Sequence, residues 1–194
     1  MDRKGYLVLE NAENDNNGVP NVKAGKVITL DFYVQSLCGE KLRIYLNEIN
    51  NDDLEIDNLV TTGFEKVTLN VKTDTGFATL THSDTAQASN ELFLTGSGNV
   101  EIGTATGFGT LNATGLSGSL VVGSDTATTT VLNYVLGNGG SEINANAANV
   151  EVTTGKGADA VTLGANAIGA HIVGGVNTGN TPDTFDVGSV LYKT

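Results

Sequence analysis

The sequence predicts an all-β fold, a parallel β-solenoid or β-roll with about two strands per coil of roughly 20 residues, preceded by an N-terminal β-rich cap. Three observations predict it. Short apolar clusters with alternate-residue periodicity, "FEKVTLNV" and "VEVTT" among them, follow one another along the chain, each bounded by turn residues. One apolar anchor from alternate clusters gives two interleaved series with steps of about 18 to 24 residues. They are Leu46, Leu69, Leu92, Leu111, Val131, Val150, Ile172 and Leu59, Leu80, Val100, Leu120, Ile143, Val161, Phe185. The composition suits thin stacked coils: 25 Gly, 2 Pro, no Trp, and 16% charged residues against roughly 25% in an average domain.

The physical logic joins these observations. A single coil cannot bury its own apolar face, so coils stack and bury a continuous strip. A narrow interior favours Val, Ile, Leu, Ala and Thr. Tight corners are expected to need φ > 0, which Gly and Asn supply. Equivalent positions stack about 4.8 Å apart, so like charges at successive levels would repel, and a low charge content follows.

In chain order, residues 1–40 are expected to form the N-terminal cap or a strand pair. Within them "AGKVITLDFYVQS", Ala24 to Ser36, reads as one amphipathic strand. The alternative for this kind of strand is an antiparallel β-sandwich. Residues 41–194 are read as the solenoid, Gly/Thr-rich from about residue 76. The composition shifts there: 21 charged residues and 5 Gly precede Gly76, and 11 charged residues and 20 Gly come from it onward. Strand-sized clusters run from "LRIYL" through "FATLTH", "NVEIGT", "GSLVVG" and "DAVTLG" to "DTFDVG". Only "NELFL" and "NANAANV" could pass for a helical turn.

Charge and motif content exclude several functions. The net charge is −12 and the pI about 4.3, which repels nucleic-acid phosphates and anionic lipid. No apolar run approaches the roughly 20 residues of a membrane span. The opening "MDRKGYLVLE" turns acidic at once and does not read as a signal peptide. The expectation is a cytoplasmic chain, one exported without an N-terminal signal, or an internal piece of a longer protein. Cys38 is the one cysteine, so no internal disulfide forms. His82 and His171 are far apart, and no zinc, P-loop or dinucleotide motif occurs. Carboxylates are sparse after Gly76, against a paired-carboxylate glycosidase. The chain reads as a non-enzyme.

Two oxygen-rich stretches precede the glycine region. "ENAENDNNGVP", Glu10 to Pro20, echoes an EF-hand loop but has Ala24 where the twelfth-position Glu is needed. "INNDDLEIDN", Ile49 to Asn58, reads as a solvated turn and strand face.

The glycine turns carry the metal question. Gly155-x-Gly157-x-Asp159-x-Val161 matches the calcium β-roll pattern G-G-x-G-x-D-x-U-x. Gly137-x-Gly139 has Ser141 in place of Asp, and Gly96-x-Gly98 has Val100 there. "GGVNTGNTPDTFDVG" supplies Asp183 and Asp186 with irregular spacing. Calcium needs six to eight oxygens, so one turn does not suffice. The candidate metal residues are Gly155, Gly157, Asp159, Asp183 and Asp186, with calcium as the cofactor. The competing reading is a calcium-free glycine corner whose Asp caps backbone N–H groups.

"TTGKGADAVTLG", "GGVNTGNTPDTFDVG" and "LTGSGNVEIGTATGFGTLNATGLSGSLVV" resemble RTX-type proteins and the S-layer proteins that Gram-negative bacteria secrete by type I systems. The likeness spans about residues 76 to 194 and lies in composition, repeat style and one good motif. It implies calcium, an uncleaved C-terminal export signal, an extracellular or cell-surface location and self-association into a lattice or fibre. The sequence departs from the pattern in its lost Asp positions and irregular spacing. The expected function is a structural, self-assembling surface protein. The alternatives are an adhesin or a module that binds cell-surface glycan, and more distantly an ice-binding solenoid.

Overall fold

The structure, a computed structural model, describes residues 6–11, 29–33, 41–48, 54–62, 64–82, 90–123, 131–177 and 182–187. These residues form sixteen β-strands. The first eight are β1 (Tyr6–Asn11), β2 (Thr29–Tyr33), β3 (Lys41–Glu48), β4 (Leu54–Thr62), β5 (Lys66–Val71), β6 (Thr75–His82), β7 (Glu91–Gly96) and β8 (Val100–Thr106). They are followed by β9 (Thr110–Leu116), β10 (Leu120–Val122), β11 (Asn133–Val135), β12 (Ser141–Ala145), β13 (Glu151–Thr153), β14 (Ala160–Leu163), β15 (His171–Val173) and β16 (Thr184–Asp186).

Odd-numbered strands form one 8-stranded sheet and even-numbered strands a second, each in coil order. Every pairing is parallel, as between Leu7 and Ile44 at one end or Val161 and Phe185 at the other. This is the predicted two-strand coil, and parallel pairing throughout rules out the antiparallel sandwich. Strands β1 and β2 pair with β3 and β4, so they extend the same two sheets. "NELFL" is strand β7, and "NANAANV" ends in turn residues.

Inward-facing residues stack into columns. One runs Ile56, Phe77, Ile102, Val122, Ile143, Val161, Phe185. Another runs Val67, Leu92, Leu111, Tyr134, Val152, Ile172. The anchor pairs Leu59–Leu80, Val100–Leu120, Leu92–Leu111 and Ile143–Val161–Phe185 are therefore true stacking partners. Other steps of the two series are out of register: Leu46 pairs with Val71 rather than Leu69, Leu69 with Leu94 rather than Leu92, Leu80 with Ala105 rather than Val100, and Leu120 with Ser141 rather than Ile143, while Val131 and Val150 fall just before their strands, whose column members are Tyr134 and Val152.

The coil length varies more than a strict repeat allows. Lys66 and Glu91 are stacked neighbours 25 residues apart, and Ser141 and Asp159 are 18 apart. Turns absorb most of the difference. A bulge in β9 absorbs more: the register with β7 shifts between Phe93 and Thr95, and Thr114 and Gly115 both face outward.

Each buried Leu, Ile, Val or Phe in these columns contributes roughly 1.5–3 kcal/mol of transfer free energy. The exception is polar. Tyr134 is fully buried, its hydroxyl has no hydrogen-bond partner, and burial pushes its ionisation well above the ordinary tyrosine value.

The outer faces show how the charge is spaced. One column of the even sheet reads Glu55, Gly76, Glu101, Val121, Glu142, Ala160, Thr184. Carboxylates stand on alternate coils, about 9.6 Å apart, twice the strand spacing. On the odd sheet Lys66 bridges to Glu91 at 2.9 Å and its ammonium lies 4.2 Å from the Phe93 ring centroid.

Candidate functional site

The glycines of the G-x-G turns lie in two columns along one corner. A Cβ on Gly118 would collide with the Gly98 carbonyl, one on Gly139 with the Gly118 carbonyl, and one on Gly157 with Gly139. In the second column Gly155 lies against the Gly137 carbonyl and Gly175 against the Gly155 carbonyl. Coil-to-coil contact at backbone distance therefore explains these glycines. The expected reason, φ > 0, holds among the G-x-G turns at Gly96, and otherwise, among the described residues, at Gly107, Gly123, Gly169 and Asn149. The turn glycines are structural whatever occupies the Asp position.

A ladder of side-chain oxygens runs beside the glycines, at the residue that leads into each even strand. Asp74 accepts hydrogen bonds from the Asn99 N–H and Nδ2, both at 2.8 Å. Asn99 Oδ1 in turn accepts from the Ser119 N–H at 2.9 Å and its hydroxyl at 2.8 Å. These side chains reach forward, to the next coil. Beyond Gly140 the direction reverses. Asp159 reaches back and accepts from the Ser141 N–H at 2.9 Å, while Asp183 accepts from the Asp159 N–H at 3.1 Å.

Asp159 is the most enclosed member, 1% exposed. Its second oxygen accepts from the Gly155 N–H at 3.1 Å, across its own turn. The Ser141 hydroxyl adds a further bond. Burial pushes its carboxyl above the ordinary range, and the nearby Asp183 charge adds to the rise. Hydrogen bonds offset this only in part.

Asp183 accepts from the Thr154 hydroxyl and from Asn177 Nδ2, both at 2.9 Å, besides the Asp159 N–H. Burial alone would raise its carboxyl. The three hydrogen bonds outweigh that and hold it below the ordinary range. Thr154 is itself fixed, its Oγ1 accepting from the Gly175 N–H at 2.6 Å.

The structure thus brings Gly155, Gly157, Asp159 and Asp183 together at one corner. Asp186 lies in β16, paired in register with Thr162 and exposed. In this geometry the donor set does not suit calcium. Asp159 faces N–H and O–H donors on both oxygens, whereas calcium requires six to eight oxygen ligands. Among the described residues no group of three or more His, Cys, Asp or Glu could hold a metal ion.

Sequence reasoning missed Asp74, Asn99 and Ser119 as members of one ladder. The signal was present: each stands one residue before an apolar strand, stacked neighbours 20 and 25 residues apart. It also missed the notch of about 210 Å³ over Gly76, bordered by Glu55, Asp74, Asn99 and Glu101. His82 is buried, with Nδ1 2.7 Å from Thr61 Oγ1 and its ring 5.3 Å from Phe108. His171 opens β15, the last strand of its sheet among the described residues, beside Glu151. Cys38 and the EF-hand-like stretch beyond Asn11 lie outside the described residues, as do residues 49–53 of the acidic cluster.

Among the described residues no helix is long and apolar enough to cross a membrane. Comparison with protein-family models, with curated proteins and with solved structures finds no match. The likeness to RTX-type and S-layer proteins accordingly rests on composition and repeat style, within a parallel β-solenoid.

Proposed function

We propose that this chain is a structural, self-assembling surface protein, S-layer-like or a component of an extracellular matrix. The observation that carries the reading is the uninterrupted parallel stack. Each sheet is eight strands long, and each ends in strands that are paired on one side only among the described residues. Such edges are templates for pairing with another chain. One column of the even sheet adds to it, with its carboxylates two coils apart at Glu55, Glu101 and Glu142. The glycan-binding alternative calls for an exposed aromatic row. The described outer column through β5 to β15 reads Thr68, Phe93, Asn112, Val135, Thr153, Val173, with one aromatic.

Calcium belongs to this proposal as a counterion for a chain of net charge −12 rather than as a ligand of the Asp159 corner. The test is sedimentation velocity over a concentration series, in calcium, in magnesium and in chelator at matched ionic strength. Association that rises with concentration, and rises further with either divalent ion, is expected. A chain that stays monomeric in every condition would falsify the reading.

A further inference from the structure

We infer that the Asn138–Gly139 pair is a modification site, where the side-chain amide is lost through a cyclic imide, and that coil stacking holds this chemistry back until the corner opens. The inference stands apart from the self-assembling reading and needs no partner.

Two neighbouring residues set the chemistry. Gly139 has no Cβ to hinder its own backbone nitrogen, which can close a small ring on Cγ of Asn138. The nitrogen gives up its proton and attacks Cγ, a C–N bond forms, and the side-chain amide leaves as ammonia. Water then opens the ring. Opening at the side-chain carbonyl leaves aspartate. Opening at the main-chain carbonyl leaves isoaspartate, whose backbone is one carbon longer. Water enters and ammonia leaves, and the chain gains one negative charge. Asn138 is exposed, so solvent supplies the water. Among the described residues the Gly139 N–H is held in no hydrogen bond.

The stack restrains the reaction. Ring closure must rotate the peptide between Asn138 and Gly139 out of its place. A Cβ on Gly139 would collide with the Gly118 carbonyl of the coil before, and one on Gly157, in the coil beyond, with Gly139 itself. On the other side of Asn138, Gly137 lies against the Ala113 and Leu116 carbonyls, and Gly155 against the Gly137 carbonyl. The backbone on both sides of Asn138 is therefore packed between coils, although the residue is open to solvent. A peptide so packed does not turn unless the coils part. The reaction then proceeds from the opened corner, at a rate set by how often that corner opens.

The stack also separates the two products. Gly137, Gly139 and Ser141 each meet the residue 18 positions on, Gly155, Gly157 and Asp159. An extra backbone carbon at position 138 puts Gly137 and Ser141 out of step with those partners. Asp159, which accepts from the Ser141 and Gly155 N–H groups together, then loses one of them. Aspartate keeps the backbone length. The same contacts set Lys156 one coil beyond Asn138, and both are exposed, so the new carboxylate stands level with a cation. The corner tolerates aspartate and not isoaspartate.

The experiment ages the full chain in warm neutral buffer, native and in denaturing guanidinium chloride, and follows Asn138 by peptide mapping and mass spectrometry. Mapping separates it from Asn17–Gly18, the other Asn-Gly pair, which lies outside the described residues. Conversion at Asn138 is expected to be at least about tenfold slower in the native chain than in the denatured one. Asp159→Ala should speed it, and guanidinium below the unfolding transition should do the same without a substitution. The isoaspartate fraction, separated from aged protein, should unfold at a lower urea concentration, whereas Asn138→Asp keeps the wild-type midpoint. Equal rates in native and denatured chains would overturn the gate, and no conversion at Asn138 in the denatured chain would overturn the site. Native conversion unchanged by both Asp159→Ala and mild guanidinium would separate it from this corner. An isoaspartate fraction with the wild-type midpoint would refute the register argument.

Discussion

Replacing Asp159 with Ala separates a structural corner from a calcium site. The carboxylate accepts from the Ser141 N–H, the Ser141 hydroxyl and the Gly155 N–H. Leaving the Ser141 N–H buried without an acceptor costs about 1–3 kcal/mol. The hydroxyl can turn elsewhere and the Gly155 amide is half-buried, so each adds about 0.5–1.5 kcal/mol. Relief from burying a charge returns part of this, and a net loss of about 2–3 kcal/mol is expected. That is a large share of the roughly 5–15 kcal/mol of a typical domain. With a urea dependence of about 2–3 kcal/mol per molar, the midpoint falls by roughly 1 M. The measurement is urea unfolding of wild type and Asp159→Ala, each in chelator and in millimolar calcium. The capping argument requires the same drop in both. A variant as stable as wild type in chelator and weaker only in calcium would refute it, because the carboxylate would then act through the ion.

Four further substitutions, one of them a control, and one titration test the stacking rules. Gly155→Ala drives a methyl into the Gly137 carbonyl and should cost at least the 1–3 kcal/mol typical of overpacking, whereas Lys156→Ala beside it should stay within about 0.5 kcal/mol; thermal melts compare the two. Tyr134→Phe removes the buried hydroxyl that lacks a partner and should raise the melting temperature, corresponding to as much as about 1 kcal/mol. Val121→Glu fills the gap between Glu101 and Glu142 and should cost about 1 kcal/mol at low salt, with most of it recovered in 1 M NaCl. For the titration, the raised carboxyl of Asp159 contributes stability below the ordinary carboxylate range and loses it as pH rises through the raised value. The lowered carboxyl of Asp183 contributes above the ordinary range and loses it as pH falls through the lowered value. Urea midpoints of wild type minus Asp159→Asn from pH 3 to 7 isolate the first contribution and should fall as pH rises, whereas wild type minus Asp183→Asn isolates the second and should fall as pH drops.

The fold was legible because its rule is local. Each coil repeats an apolar column position, so pairs such as Ile143 and Val161 could be aligned by eye, and the structure puts them in register. Val131 and Val150 were misplaced because apolar residues also occupy the turns just ahead of β11 and β13. The turn glycines could be located from sequence, but the reason for them could not. Whether a Cβ meets a carbonyl depends on which residue the next coil places above it, and stacking offsets that range from 18 residues (Ser141, Asp159) to 37 (Tyr6, Arg43) hide that partner. The same holds for the Asp159 corner. The motif gives an Asp beside two glycines, whereas the chemistry depends on whether its oxygens meet N–H groups or carbonyls.

The alternating glutamates answer to the spacing of the stack itself. A carboxylate column at every coil would set charges about 4.8 Å apart, and the repulsion would oppose each added coil. Gly76, Val121 and Ala160 interrupt that column on alternate levels between Glu55 and Thr184. The spacing belongs to this column and is not general: Lys41 stacks on Lys66, and Asp183 lies one coil beyond Asp159, whose carboxyl its charge helps to raise. At the C-terminal end that column reaches Ala160 and then Thr184, with no glutamate after Glu142.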